Sequence, residues 1–227
     1  NLGRESRSVE PYVYFSNLEQ GNIPKYKGGN QSYDILSWYV KYSSNNVNFR
    51  FIKHDVITAD SIDVSGVKVE PSKCGPIPDL SGWKNLFNLS LWGVFAIALS
   101  LVDLVRGRWW HALILNEAVV AKKTSMTKPE SLAVEYLFHN TNQTYRPLWT
   151  YIAEKYGSEI TLFFYSTNVE NLNIDPTYAW RCMTWPRYLV WDEYQADPVF
   201  VAGLFTPIHT YQDENGFTRE LVSEQEV

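Results

Sequence analysis

Residues 133–168, AVEYLFHNTNQTYRPLWTYIAEKYGSEITLFFYSTN, decide the fold, because they have the pattern strand, polar loop, helix, strand. The apolar runs 133–138 and 160–165 are short enough to be buried strands. Between them, residues 145–156 carry apolar side chains at helical spacing, and Gly157 ends the helix. This order predicts a βαβ unit with a right-handed crossover and two parallel strands.

The same kind of pattern continues on both sides of this unit. Residues 12–15 and 47–52 predict two earlier strands, with a short amphipathic helix over 33–42 between them. After the unit, residues 187–191 predict a third parallel strand and residues 199–205 a further short strand. The sequence therefore predicts an α/β domain of three layers with a mostly parallel sheet.

We expect this domain to extend over residues 11–205, with a hairpin around 64–69. Residues 1–10 are polar and predicted to be loose. Residues 206–227 are acidic and polar, and they predict a frayed tail or the start of a further domain. Because the sequence begins without Met and ends without a closing element, we expect it to be part of a longer protein.

Composition excludes several classes of function. With 227 residues, 45% of them hydrophobic and 20% charged, the chain can bury a sizeable core. The net charge of −5 and the scattered basic residues argue against nucleic-acid binding. Cys74 and Cys182 lie far apart without metal-binding spacing, which favours a reducing compartment over a zinc site, with a structural disulfide as the alternative. The polar start lacks the apolar region of a secretory signal, so we expect a cytoplasmic protein.

Residues 85–102, NLFNLSLWGVFAIALSLV, carry no charge, and about 20 such residues can cross a bilayer. Arginine and tryptophan follow within residues 106–110, as they do at a membrane interface. A buried core helix, a helix docked on the membrane surface and a true span are all compatible with this pattern. We expect the buried helix, with Leu91, Phe95 and Leu99 covered by the domain, because a free apolar surface of this size promotes aggregation.

A helix predicted over residues 110–123 places Glu117 on an otherwise apolar stripe. A buried carboxylate is costly unless it is paired. Glu117 therefore has either a partner, such as an arginine or a helix N-terminus, or a role in ligand binding.

Polar residues follow the predicted strands at the points where the strands end. Parallel strands bring their carboxyl ends to one edge of a sheet, so we expect these residues to line one cleft. The candidate site residues are His139, Asn140, Asn142, Arg146, Ser166, Asn168, Asp192 and Glu193. His54 ends an earlier strand and is a further candidate, with a capping role as its alternative. The sequence contains no Ser-His-Asp elbow, HExxH or Walker A motif.

The segments YLFHNTNQTYRPLWTYIAEKYGSEITLFFYSTN and WPRYLVWDEYQAD resemble a family of bacterial surface-carbohydrate (capsule or O-antigen) biosynthesis proteins. Those proteins are similar to GT-B glycosyltransferases, which pair two Rossmann-like domains across a cleft. The resemblance is closest over residues 109–197. It implies that the chain is a Rossmann-like domain forming the amino-terminal, acceptor-side half of such an enzyme.

This resemblance implies roles for the candidate site. A nucleotide-sugar and a glycan acceptor would be the substrates, with no cofactor and no metal. An inverting transfer needs a base for the acceptor hydroxyl, for which His139 is the first candidate and Asp192 the carboxylate alternative. Arg146 could bind a phosphate or a sugar carboxylate through two hydrogen bonds. The enzyme would work in the cytoplasm, with peripheral contact to the inner face of the membrane as a further expectation.

Two other functions fit the same residues. The first is a non-catalytic, membrane-associated module that binds or scaffolds a polysaccharide-assembly complex through residues 85–102. The second is a carbohydrate-active hydrolase, which would require two carboxylates facing each other, with Glu117 and Asp192 as the pair to measure.

Overall fold

The computed structural model describes residues 10–16, 18, 23, 35–42, 48–56, 60–139, 145–164, 185–190, 208–212 and 218–222. Within these ranges nine strands form one sheet. The strands are β1 Tyr12–Ser16, β2 Phe51–His54, β3 Ile62–Val64, β4 Val67–Pro71, β5 Glu135–His139, β6 Glu159–Phe163, β7 Arg187–Val190, β8 Ile208–Gln212 and β9 Thr218–Val222. The helices are α1 Ile35–Tyr42, α2 Trp83–Val105, α3 Trp110–Leu113, α4 Leu115–Met126 and α5 Leu148–Lys155.

The strands follow the order β3-β4-β2-β1-β5-β6-β7-β8-β9 across the sheet. All neighbours are parallel except the two antiparallel edge pairs, β3 with β4 and β8 with β9. The predicted mostly parallel sheet is therefore confirmed. The three strands that we expected to be parallel, β5, β6 and β7, are neighbours in it.

The strands that follow β1 are added on one side of it, and the strands that follow β5 are added on the opposite side. The sheet is therefore doubly wound, with the reversal between β1 and β5. From β1 the chain moves through α1 to β2 on one side, and from β5 it moves through α5 to β6 on the other. Right-handed crossovers in opposite directions place their helices on opposite faces. Accordingly, Leu36 of α1 packs with Phe15 on one face, and Trp149 of α5 packs with Tyr136 on the other.

The central βαβ unit forms for local reasons. Gly157 has φ of +96°, a conformation that glycine adopts without strain, and it follows the end of α5. Trp149 is buried, with its ring edge-on to Tyr136 at 4.9 Å between centroids. The helical spacing predicted an apolar stripe through Leu148, Trp149, Ile152 and Tyr156; of these, Trp149 is buried and Tyr156 packs against the core, whereas Leu148 is exposed.

The prediction that α2 is buried was wrong. The exposed fractions of Leu91, Phe95 and Leu99 are 61%, 62% and 49%. The reason is that α4 and α5 already cover this face of the sheet, where Val120 and Ala121 of α4 pack against the core. The main packing partners of α2 are α3 and α4.

Two further segments differ from expectation. The helix predicted over 110–123 is divided into α3 and α4, which meet at Ile114. The segment 206–227, predicted as a polar tail, contains the edge strands β8 and β9. Short strands with few apolar residues carry a weak sequence signal. The strand predicted over 199–205 lies outside the described residues.

Candidate functional site at the reversal of the sheet

The carboxyl ends of β1 and β5 adjoin where the winding of the sheet reverses. In open α/β sheets, ligands bind in the crevice outside this point, because the connections leave it in opposite directions. Among the described residues, Ser16, His54, Asp55 and His139 lie at this edge of the sheet.

His139 is the last residue of β5 and is paired in register with Phe163 of β6. Its side chain is 6% exposed, and its ring centroid lies 5.1 Å from that of Phe163. Because side chains alternate along a strand, His139 shares a face with Leu137, the face that α1 covers. The imidazole therefore lies at the carboxyl edge, against the core, and its catalytic role stays a prediction.

His54 is the last residue of β2 and is fully buried. Its Nδ1 accepts a hydrogen bond from the backbone N–H of Val56 at 3.2 Å, so in the neutral ring the proton is on Nε2. Within the described part of the chain, Nε2 has no hydrogen-bond partner. Burial lowers the pKa of His54, and the neighbouring Asp55 opposes this in part.

The two histidines lie on the same face of the sheet. His54 and Leu137 are both in register with Phe15 of β1, and His139 follows Leu137 by two residues. Strand spacing places the two backbones about 10 Å apart across the sheet and about 7 Å apart along it. The two rings thus flank the end of β1.

Asp55 links the ends of β1 and β2. Its Oδ1 accepts a hydrogen bond from the backbone N–H of Leu18 at 3.2 Å. Leu18, which follows β1, is therefore held at the end of β2, beside the reversal of the sheet.

Arg146 is buried and paired inside the domain. Its Nε donates to Thr150 Oγ1 at 3.0 Å, and its Nη2 forms an ion pair with Glu154. The guanidinium carbon also lies 3.9 Å from the centroid of the Tyr151 ring. These contacts fix the residues before α5 to the helix itself, and ligand binding by Arg146 stays a prediction.

Glu117 has a partner, as one of its two sequence interpretations required. Its Oε2 accepts a hydrogen bond from the backbone N–H of Leu148, the first residue of α5, at 3.1 Å. A carboxylate at a helix N-terminus is favoured by the unpaired N–H groups and the helix dipole. Glu117 therefore joins α4 to α5.

Six of the candidate site residues lie outside the described residues. They are Asn140, Asn142, Ser166, Asn168, Asp192 and Glu193. Their gathering around the crevice stays a prediction. The described part of the chain contains no group of three or more His, Cys, Asp or Glu residues that could hold a metal ion.

Sequence reasoning missed a buried carboxylate at the opposite, amino edge of the sheet. Glu135, the first residue of β5, is 3% exposed and accepts hydrogen bonds from Tyr39 Oη and from Thr161 Oγ1, the latter at 2.6 Å. Arg187 Nη1 lies 3.8 Å from Oε1. Burial and then the Glu135 charge raise the pKa of Tyr39, so the phenol stays protonated and donates. The available signal was a lone charge inside an apolar strand.

Stability should depend on the protonation of His54. Its folded pKa is lowered from the ordinary 6.5, so stability is full above that value and decreases as pH falls below it. The free energy of unfolding should change by up to about 1.4 kcal/mol per pH unit in that range. Urea unfolding at pH 7, 6 and 5 should show a smaller pH dependence for His54→Asn, whose Oδ1 can still accept the Val56 N–H.

The exposed His111, which pairs with Asp103 at 2.7 Å, provides the control. The variant His111→Gln should keep the part of the pH dependence of unfolding that comes from His54. An unchanged pH dependence in His54→Asn would contradict the assignment.

Comparison with known proteins gives one match. Residues 90–212, somewhat more than half of the chain, match the family described as polysaccharide biosynthesis PFTS motif protein. No curated protein and no solved structure matches the chain significantly. The matched range includes α4, the β5–α5–β6 unit, β7 and β8, and therefore the β5 side of the sheet reversal. The chain belongs to the polysaccharide biosynthesis PFTS motif protein family.

Proposed function

We propose that this chain is the acceptor-side, amino-terminal domain of a GT-B-type glycosyltransferase that builds bacterial surface polysaccharide. The observation that carries the proposal is the reversal of the sheet between β1 and β5, with His139 at the carboxyl edge, in a chain of a polysaccharide biosynthesis family. A sheet of this kind binds small ligands at that point.

The proposed reaction is an inverting glycosyl transfer. A hydroxyl oxygen of the glycan acceptor attacks the anomeric carbon of a nucleotide-sugar, and the bond from that carbon to the nucleotide phosphate breaks. His139 takes the hydroxyl proton, and Asp192 is the alternative base. The leaving phosphate requires cationic or N–H groups, which the second domain of a GT-B enzyme would share in providing.

In this proposal Glu117 and Arg146 position the site. Glu117 holds the N-terminus of α5, and Arg146 is clamped to the same helix through Thr150. The polar loop of residues 140–144 starts at His139 and ends just before these contacts. In the proposal, this polar segment forms a rim that contacts a sugar.

A second candidate function is a non-catalytic scaffold of polysaccharide assembly. The exposed apolar surface of α2 favours it, because such a surface suits attachment to a membrane or to other components. The hydrolase would require Glu117 and Asp192 to face each other; Glu117 accepts a hydrogen bond from α5, and Asp192 lies outside the described residues, so the pair stays a prediction.

The two functions differ in a measurement on the full-length protein. A panel of nucleotide-sugars should be incubated with it and with glycan acceptor extracted from the source cells, and released nucleotide quantified. We expect release from one donor, dependent on the acceptor. Loss of surface polysaccharide on gene deletion, without turnover of any donor in the panel, would contradict the transferase and support the scaffold.

A further inference from the structure

Helix α2 exposes apolar side chains over most of its circumference. Among its 23 residues, all within the described part of the chain, only Ser100 is buried. The partly covered positions recur every three or four residues and form one stripe towards α3 and α4, namely Asn85, Leu89, Trp92, Gly93, Ala96 and Asp103. At 100° per residue, the opposite side carries Phe87, Val94, Leu101 and Val105, which are 59%, 67%, 57% and 91% exposed.

The dimensions and ends of α2 fit a lipid environment. Among the described residues, it is the one helix long and apolar enough to cross a bilayer, with a mean hydropathy of 1.8. Its length of about 35 Å is close to the thickness of the hydrocarbon core. Trp83 and Lys84 lie at its start, and Arg106, Arg108 and Trp109 follow its end. Tryptophan and cationic side chains are typical of the lipid headgroup region.

The topology of the sheet excludes a single crossing of the membrane by α2. Strands β1, β2 and β4 precede α2, whereas β5, β6 and β7 follow it, and all six belong to one sheet. The central pair, β1 with β5, joins the two sets directly. A single crossing would put these two sets on opposite sides of the bilayer, which the pairing forbids.

A return crossing through α3 and α4 is also excluded. The helix α4 has only 12 residues, Leu115–Met126, and it includes Glu117, Lys122 and Lys123. It packs on the core through Val120 and Ala121. The helix α4 therefore belongs to the water-soluble domain, and α2 lies beside it.

We infer that α2 is a monotopic membrane anchor that lies in the plane of one bilayer leaflet. The side through Phe87, Val94, Leu101 and Val105 enters the acyl region. The stripe facing α3 and α4 joins the anchor to the domain. Lys84, Arg106 and Arg108 lie at headgroup level, where they attract anionic lipids.

A groove between α2 and α4 extends this surface. Leu91, Trp92 and Phe95 form its apolar wall, and Lys122 and Met126 come from α4. This inference goes beyond the proposed glycosyl transfer and does not depend on it.

Flotation of the purified 227-residue chain with vesicles tests the anchor. We expect the chain to float with phosphatidylcholine vesicles, and more strongly when phosphatidylglycerol is included. The double variant Val94→Asp/Leu101→Asp should reduce the bound fraction at least about tenfold, because both side chains would enter the acyl region. Both are exposed in the folded domain, so the variant should keep its circular dichroism spectrum.

A charge-matched control is Ser61→Asp/Ser65→Asp at the far edge of the sheet, which should float like the parent. Equal flotation of Val94→Asp/Leu101→Asp and the parent would overturn the proposal. So would binding that requires phosphatidylglycerol and is abolished by salt, since it would be electrostatic only. Self-association without flotation, lost in the double variant, would assign the surface to a second copy of the chain instead.

The orientation of the anchor has its own test. Lys84→Cys and Arg108→Cys are introduced separately into a chain that carries Cys74→Ser and Cys182→Ser. On intact vesicles, a membrane-impermeant maleimide added outside should label both positions equally. Labelling of either position only after detergent would show a crossing helix and overturn the in-plane arrangement.

Discussion

Replacing His139 by alanine in the full-length protein should lower the turnover number of glycosyl transfer by roughly 10²–10⁴-fold. The imidazole of His139 ends β5 at the carboxyl edge of the sheet, and histidine is a common general base in enzymes that work near neutral pH. Without it, the hydroxyl would lose its proton to water. Initial rates at saturating donor and acceptor, with released nucleotide as the readout, measure the effect.

Two further variants separate chemistry from folding. His139→Gln keeps most of the buried volume beside Phe163 and should be as inactive as His139→Ala. The exposed His111 lies on α3, and His111→Gln should retain full activity. Retained turnover in both folded His139 variants would eliminate it as the base. A folded and inactive Asp192→Asn protein would then move the role to that carboxylate.

Replacing Glu135 by alanine should lower the free energy of unfolding by about 3 kcal/mol. The change leaves the buried hydroxyls of Tyr39 and Thr161 without their acceptor, and each unsatisfied group costs about 1–3 kcal/mol. Arg187 keeps a partner in Glu159, so its charge adds little to the loss. Equilibrium unfolding in urea provides the measurement.

The matched control is Glu159→Ala, because Glu159 pairs with the same arginine but its side chain is 49% exposed. Its loss should be below about 1 kcal/mol. A similarly small loss for Glu135→Ala would mean that water replaces the missing carboxylate.

The central strands of this fold could be predicted because their signal is local. Residues 12–15 are apolar over their whole length, and residues 133–138 and 160–165 are apolar apart from Glu135 and Thr161. Burial on both faces of a parallel sheet requires such nearly continuous apolar runs. Gly157 marked the end of the intervening helix equally well. From these elements the parallel arrangement of β5, β6 and β7 followed.

The environment of α2 could not be predicted in the same way. Its composition fits a core helix and a membrane helix equally well, and the difference depends on which surfaces of the sheet remain open. Here Val120 of α4 and Trp149 of α5 cover part of the sheet face against which α2 would otherwise be buried.

Within the candidate site, the position of His139 at the sheet edge was predictable, whereas side-chain contacts were not. Parallel topology placed His139 at the carboxyl edge, as the structure does. The partners of Glu117 and Glu135 come from other elements, with Tyr39 separated from Glu135 by 96 positions in the chain. Pairing at that distance leaves no periodic trace in the sequence.

The pairing of β1 with β5 also sets an order of events during synthesis. Strand β5 pairs with β6 a short distance along the chain, through Glu135 and Glu159. Strand β1 can pair with β5 only after Glu135, about 120 residues beyond Val13, has been synthesised. Closing the longer loop costs about 1–2 kcal/mol more in chain entropy. At roughly 5–20 residues per second, the ribosome completes α2 some seconds before it has made β5. Helix α2 is therefore exposed on the nascent chain while β1 still lacks its neighbour β5.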